Sequence, residues 1–292
     1  MTLFLTSSPS GCPFEPGPAV PVLDRRNHFL ENLRAVWPDH PVRGLAIAAD
    51  PHAYAQNDEM CRVFLQSFAD AHLPLTELVP CDARNQEEIG TLLPRSGFVM
   101  LCGGHVPTQN HFFAQLGLPG LFHNYHGIVL GVSAGSMNAA RLVYAAPEEP
   151  GEAADPGYCR WLNGLGLTET RILPHYQFIR EHVLDGQKME DIALADSILP
   201  GPRHALFRSS LYAYYIWKLM NDNNAVETVK HELDRLKTKI HNELSPEERI
   251  EWEFLTGLSL DFSSLATEAY DNIGKAIPYV CLLYTSPSPR DA

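Results

Sequence analysis

Short apolar runs punctuate the first part of the chain, and each stops at a glycine, proline, aspartate or serine. They are LFLTSS (3–8), GLAIAAD (44–50), LTELVP (75–80), GFVMLCGG (97–104), GIVLGV (127–132) and TRILPHY (170–176). Brevity, partial β-branching and abrupt ends predict strands. Between them the pattern becomes helical, with helices predicted near 24–36, 57–72, 85–93, 107–116, 134–143 and 177–190. Strand alternating with helix predicts an α/β fold: a three-layer, mostly parallel sheet with helices on both faces. In such a sheet, chemistry collects at the carboxyl ends of the strands. Gly103 and Gly104, Ser133 and His175 each stand where a predicted strand stops.

The pattern changes after about residue 207. Val226, Val229, Leu233, Leu236 and Ile240 recur at spacings of three and four, so 223–243 reads as an amphipathic helix whose apolar stripe must pack on something. SPEERIEWEF starts another helix, with Ser245 as N-cap, Pro246 at the first helical position and Glu248 completing a capping box. Residues 1–206 hold twelve arginines and one lysine, the remainder four arginines and five lysines. The domains expected are therefore an α/β domain over 1–207 and a helical C-terminal segment over 208–292 with a disordered tail. That segment is either an appendage or homodimerisation hairpin, or a stretch foreign to the first 206 residues. Its last residues, CLLYTSPSPRDA, are unlike an ordinary protein C-terminus and put the two readings on an even footing.

Composition narrows the class. With 292 residues and 45% hydrophobic content the chain can bury a full core. A formal net charge of −13 argues against nucleic acid or an anionic membrane as partner, since both need clustered Lys and Arg. The sequence has no apolar run long enough to span a membrane and no signal-peptide pattern at its start, so a cytoplasmic location is expected. Cys12, Cys61, Cys81, Cys102, Cys159 and Cys281 are scattered without a C-x-x-C, which predicts reduced thiols used as small core residues.

The chemistry centres on GIVLGVSAGSMNAA (127–140). It contains G-x-S-x-G, in which flanking glycines let a strand turn sharply into a helix with the serine held out at the bend. Serine needs a base and oxyanion donors to act as a nucleophile. His175, after TRIL and Pro174, supplies a candidate general base on a neighbouring strand. The N–H groups of Ala134 and of Gly104 in LCGGH supply candidate oxyanion donors. HNYH (123–126) lacks a carboxylate or cysteine at ligand spacing, so neither metal nor cofactor is expected. Glu148, Glu149, Glu152 and Asp155 read as a solvated acidic loop over the active-site edge. Arg141, Arg160 and Arg171 read as surface pairing groups that could also hold a substrate carboxylate.

Three segments in order, GFVMLCGGHVPTQN, GIVLGVSAGSMNAA and RILPHY, resemble the peptidase E and cyanophycinase family of serine peptidases, which have a class I glutamine amidotransferase-like fold. The likeness covers residues 1 to about 205. It implies Ser133 as nucleophile, His175 as base, Gly104 in the oxyanion hole, and hydrolysis of a small aspartyl-containing peptide. His105 and Asn110, following the glycine turn, are the candidate substrate-binding residues. Glutamine amidotransferases themselves carry cysteine at the elbow, so serine argues against ammonia transfer. The family draws its triad acid from a turn after a strand that here would be RHALF (203–207), and RSSLYAYY follows with no carboxylate. Asp191 and Asp196 are the nearest acids, and Asp196 is the candidate.

Two other classes stay open. An α/β-hydrolase esterase shares the elbow, but it places its histidine late in the chain, whereas His175 is early and His182, His204, His231 and His241 follow. A non-catalytic, ligand-binding member of the amidotransferase-like fold would keep Ser133 and His175 out of hydrogen-bond reach.

Overall fold

The computed structural model describes residues 1–10 and 20–198. The RHALF segment, the helices expected beyond 223 and the boundary near 207 lie outside the described residues. The described residues divide into two compact units, one of Met1–Ala146 with Trp161–His175, the other of Pro147–Arg160 with Tyr176–Ile198.

In the first unit the strands β1 (Thr2–Thr6), β2 (Val42–Ile47), β3 (Leu75–Cys81), β4 (Phe98–Leu101) and β5 (Ile128–Val132) form a parallel sheet in the order β1-β5-β4-β2-β3. Helices α1 (Phe29–Val36), α2 (Tyr54–Asp70), α3 (Ile89–Leu92), α4 (Val106–Gln115), α5 (Leu118–Leu121) and α6 (Ala134–Asn138) connect them. The period of two is written into β4. Val99 and Leu101 pack with Leu45, Ile47 and Val129 against Phe112, Phe113 and Met137, whereas Phe98 and Met100 pack with Ala46 and Leu130 against Leu30, Leu33 and Phe68. Helices α1 and α2 therefore cover one face, and α3 to α6 cover the other. Both faces being buried explains why these strands read as unbroken apolar runs.

Aromatic rings consolidate the α1 and α2 face. Trp37 stacks on Phe68 with ring centroids 5.5 Å apart, and Phe98 meets Phe68 at 4.9 Å and Trp37 at 5.2 Å. Past the end of β3, the fully buried Asp82 accepts from Arg84 at 2.7 Å and from Asn57 of α2 at 3.2 Å. Burial pushes this carboxyl up, but the Arg84 and Asn57 hydrogen bonds outweigh it and hold it below the usual range. The bonds tie α2 to the carboxyl edge of the sheet.

The chain leaves the sequence expectation in three places. The helix expected over 134–143 stops at Asn138, because N–H groups of Leu165, Gly166 and Leu167 take the carbonyls of Asn138, Ala140 and Ala139. A strand follows instead, β6 (Leu142–Tyr144), paired antiparallel with β7 (Trp161–Asn163). The strand expected over 170–176 is not one. Pro174 offers no donor to a ladder, and the segment runs irregularly, burying Ile172 and Pro174.

In the second unit the helix expected over 177–190 is broken. Helix α7 (Tyr176–Ile179) ends early, and β8 (Val183–Leu184) pairs with β9 (Gln187–Lys188) before α8 (Met189–Ile198) begins. The cause is Asp185-Gly186, with φ of 51° and 78°, a two-residue hairpin turn that needs both residues left-handed. The Asp185 carboxylate also accepts from the N–H groups of Gly151 and Ala153 at 2.9 and 3.0 Å, so it orders the 151–154 loop.

Cys61, Cys81 and Cys102 are buried as expected, and burial pushes the first two thiols up to about 12. Cys159 is exposed, against the expectation of a core role. Among the described residues no helix is long and apolar enough to cross a membrane.

The aromatic cluster yields the first prediction. Phe98→Ala removes the ring shared by Trp37 and Phe68, and should cost about 3–5 kcal/mol. A urea titration following tryptophan fluorescence reads it as a lowered midpoint with unchanged slope.

Candidate active site

Ser133 stands at the carboxyl end of β5, immediately before α6, with φ 48° and ψ −113°. A side chain other than glycine pays for such a conformation, and the surrounding structure must impose it. The sequence supplies the means. A Cβ on Gly131 would lie 2.7 Å from the Cα of Ser136, and one on Gly135 would run into the Leu101 carbonyl. Only a bare backbone at both positions lets α6 fold back against β5 and β4. The bend turns Ser133 outward, half-exposed, while Ala134, Gly135 and Ser136 behind it are buried.

The glycine turn after β4 lies beside this bend. A Cβ on Gly103 would stand 3.2 Å from that of Ser133, and one on Gly104 would stand 2.5 Å from that of Ala49, just beyond β2. The main chain at 103–104 thus threads between the ends of β2 and β5. This is where the strand order reverses, since β2 leads out to β3 and the chain returns to β4 on its other side. Ala134 opens α6, and the helix itself leaves its N–H unused.

Buried amides lock the two turns together. Gln109, with no exposed surface, donates to the Cys102 carbonyl at 2.6 Å. Asn138, equally buried, donates to Gln109 Oε1 at 3.0 Å and to the Val106 carbonyl at 3.1 Å. Asn110 donates to Asn138 Oδ1 and to the Asn163 carbonyl, both at 2.9 Å. Its amide thus ties α4 to α6 and β7. His105 is the N-cap residue of α4, and its Nδ1 lies 2.7 Å from Thr108 Oγ1.

A second anchor lies on the other side of the elbow. Edge strand β1 pairs with β5 so that Thr6 stands opposite Val132. The Ser133 N–H donates to the Thr6 carbonyl at 2.9 Å. Ser136 Oγ accepts from the Thr6 N–H at 2.9 Å and donates to the Thr6 carbonyl at 2.8 Å, while Thr6 Oγ1 donates to the Gly131 carbonyl at 2.8 Å. Ser7, buried, comes next.

His175 lies on an irregular segment rather than at a strand end. Its φ is 59°, so the serine and the histidine singled out by the sequence both hold left-handed backbone. Burial pushes the imidazole below its ordinary value of 6.5, and a bond to the Ser7 main chain partly opposes that. The structure therefore brings Ser133, the 103–104 turn and Ala134 to one edge of the sheet.

Asp196 belongs to α8 in the second unit, its Oδ2 3.6 Å from Arg160 Nε. Arg160 also lies over the Tyr158 ring. Arg141 pairs with Glu169, both exposed, and Arg171 lies over the Trp161 ring. In the acidic loop, Glu152 Oε2 accepts from the N–H groups of Glu148 and Glu149.

Sequence reasoning missed Thr6, Ser136, Gln109 and Asn138. A signal existed for two of them: Ser136 and Asn138 are polar residues inside the small apolar run Ala134 to Ala140, where a side chain that cannot reach water must find a partner.

The elbow yields a prediction of sign. Glycine to alanine within a helix ordinarily stabilises, yet Gly135→Ala should destabilise by about 1–3 kcal/mol, because its methyl meets a strand carbonyl that cannot move aside. Thermal unfolding reads the direction directly.

A scan against protein-family models finds no match to this chain, and a search of the curated proteins finds none.

Proposed function

We propose that the chain is a serine-type hydrolase of the peptidase E and cyanophycinase kind, on a class I glutamine amidotransferase-like fold. Its substrate is a small, aspartyl-containing peptide. Ser133 Oγ attacks the scissile carbonyl and gives its proton to His175, which returns it to the leaving amine. The N–H groups of Ala134 and Gly104 hold the negative oxygen of the tetrahedral intermediate. Water then releases the acyl group, again with His175 as base.

The observation that carries this reading is the left-handed Ser133, with φ 48°, framed by two glycines that admit no side chain. Strain imposed on a half-exposed serine at a strand end serves no packing purpose, and a nucleophile elbow accounts for it. The lowered imidazole adds support. A base that stays neutral near neutral pH is ready to accept a proton without first losing one. The peptide substrate rests on the resemblance carried by the three motifs.

A fluorophosphonate probe followed by peptide mapping tests the nucleophile without knowledge of the substrate. Labelling is expected at Ser133 and should vanish in Ser133→Ala. Labelling of another residue, or of none in folded protein, overturns the proposal. Aspartyl dipeptides and p-nitrophenyl esters then separate a peptidase from an esterase, and faster turnover of the esters would favour the latter.

The pH dependence follows from His175. Labelling should rise with pH through a midpoint below 6.5 and then level off, and His175→Gln should slow it by about a hundredfold or more. Stability carries the same signature. Between the lowered value of the folded state and 6.5 the unfolded chain binds more protons, so stability falls as pH drops through that window. His175→Gln should flatten the slope. A labelling profile that is level through this range assigns the base elsewhere.

A further inference from the structure

We infer that Asn110, Asn138 and Gln109 form a one-way relay of amides that orients the 103–104 turn against the elbow, and that they are positioning residues for its oxyanion donors. The inference rests on the reading of Ser133 as nucleophile. It names what holds the donors in place, and it gives Asn110, a candidate substrate-binding residue by sequence, a different task.

The relay has a single direction. Asn110 donates to the Asn163 carbonyl and to Asn138 Oδ1, Asn138 donates to the Val106 carbonyl and to Gln109 Oε1, and Gln109 donates to the Cys102 carbonyl. Each of the three amides thus touches a main-chain carbonyl, a group that can only accept, and this fixes which side carries its NH2. No amide can be flipped without setting two acceptors face to face. Gln109 and Asn138 have no exposed surface, so a lost link leaves its partner unpaired.

What the relay grips is the peptide that opens the turn. The Cys102 N–H donates to the Ile47 carbonyl at 3.0 Å, and the Cys102 carbonyl accepts from Gln109 at 2.6 Å. A trans peptide sets its C=O and N–H antiparallel, so drawing the Cys102 carbonyl toward α4 points the Gly103 N–H the other way. Gly103 and Gly104 are exposed, and among the described residues neither gives its N–H to a main-chain carbonyl. Donors on a backbone without side chains need an external hold to meet a forming oxyanion without reorganising. The relay also runs through Asn138 at the end of α6, the helix that Ser133 precedes directly, so one set of bonds reaches both proposed sources of donors.

The test removes the link nearest the turn. Gln109→Met keeps the length of the side chain but can neither donate to the Cys102 carbonyl nor accept from Asn138. The turn can be watched directly, because Cys102-Gly103 is the sole Cys-Gly pair in the sequence and Gly103-Gly104 the sole Gly-Gly pair. Labelling the carbonyl carbon of cysteine or of glycine together with the glycine nitrogen therefore isolates the Gly103 or the Gly104 amide by NMR. The second readout is fluorophosphonate labelling over a range of probe concentrations, which separates the maximal rate from the half-saturating concentration.

In Gln109→Met both amide signals should shift, and the maximal labelling rate should fall by about ten- to a hundredfold at a nearly constant half-saturating concentration, since misplaced donors act on the transition state rather than on capture of the probe. Unmoved amides, or the parent's maximal rate, in a chain folded by near-ultraviolet circular dichroism overturn the inference. Asn110→Ala, at the half-buried head of the relay, carries the same test should Gln109→Met not fold, with a fall of about two- to tenfold expected. A raised half-saturating concentration at an unchanged maximal rate in that variant makes Asn110 a probe-binding residue and overturns its place in the relay. If the amides move in Gln109→Met while Ser133 of the parent is never labelled, the relay orients the turn as inferred and the hydrolase reading fails.

Discussion

A main chain can pass from strand to helix across one residue only if nothing occupies the inside of the bend. At Ser133 that condition is met by absence of atoms. Gly131 gives its space to the backbone of Ser136, and Gly135 gives its space to the Leu101 carbonyl of the adjacent strand. The contact between α6 and β4 is therefore backbone against backbone, and it fixes the orientation of everything on that edge. The 103–104 turn closes onto Ser133 because Gly103 also approaches without a side chain. The packing of the aromatic face holds the sheet together, but this close approach decides what the sheet presents at its carboxyl end.

Bringing backbones so near buries polar groups, and each then needs a partner. Thr6, Ser136, Gln109 and Asn138 are buried polar side chains, and each has partners in the turns it joins. The amides knit α4 to α6 and to the end of β4, while the hydroxyls knit the edge strand to the elbow. Such bonds are directional where apolar packing is not. They set the relative position of the elbow and the glycine turn more tightly than methyl contacts would.

The five sheet strands were legible because a sheet buried on both faces writes itself as apolar runs with hard stops, as in FVML and IVLGV. Ser133 was legible because its geometry depends on missing side chains, and glycine is visible in a sequence. The hairpin at Asp185-Gly186 was equally visible and was read through, since the surrounding apolar spacing mimicked a helix. His175 was located by a strand that does not form. It lies on an irregular segment whose course depends on tertiary contacts. What could not be read at all is the contribution of the Thr6 carbonyl, which takes the Ser133 N–H, because a carbonyl belongs to every residue alike, and only the register of β1 on β5 gives this one its place.

Burial also bears on what the His175 ring can do. Removing an imidazole from water favours its neutral form, and at His175 this effect prevails over the bond to the Ser7 main chain. Under the proposed reading, a ring held neutral in this way is available to take a proton from serine without first losing one. The same burial makes the imidazolium that would form more costly, so in that mechanism the burden on the oxyanion donors at the glycine turn and the elbow is correspondingly greater.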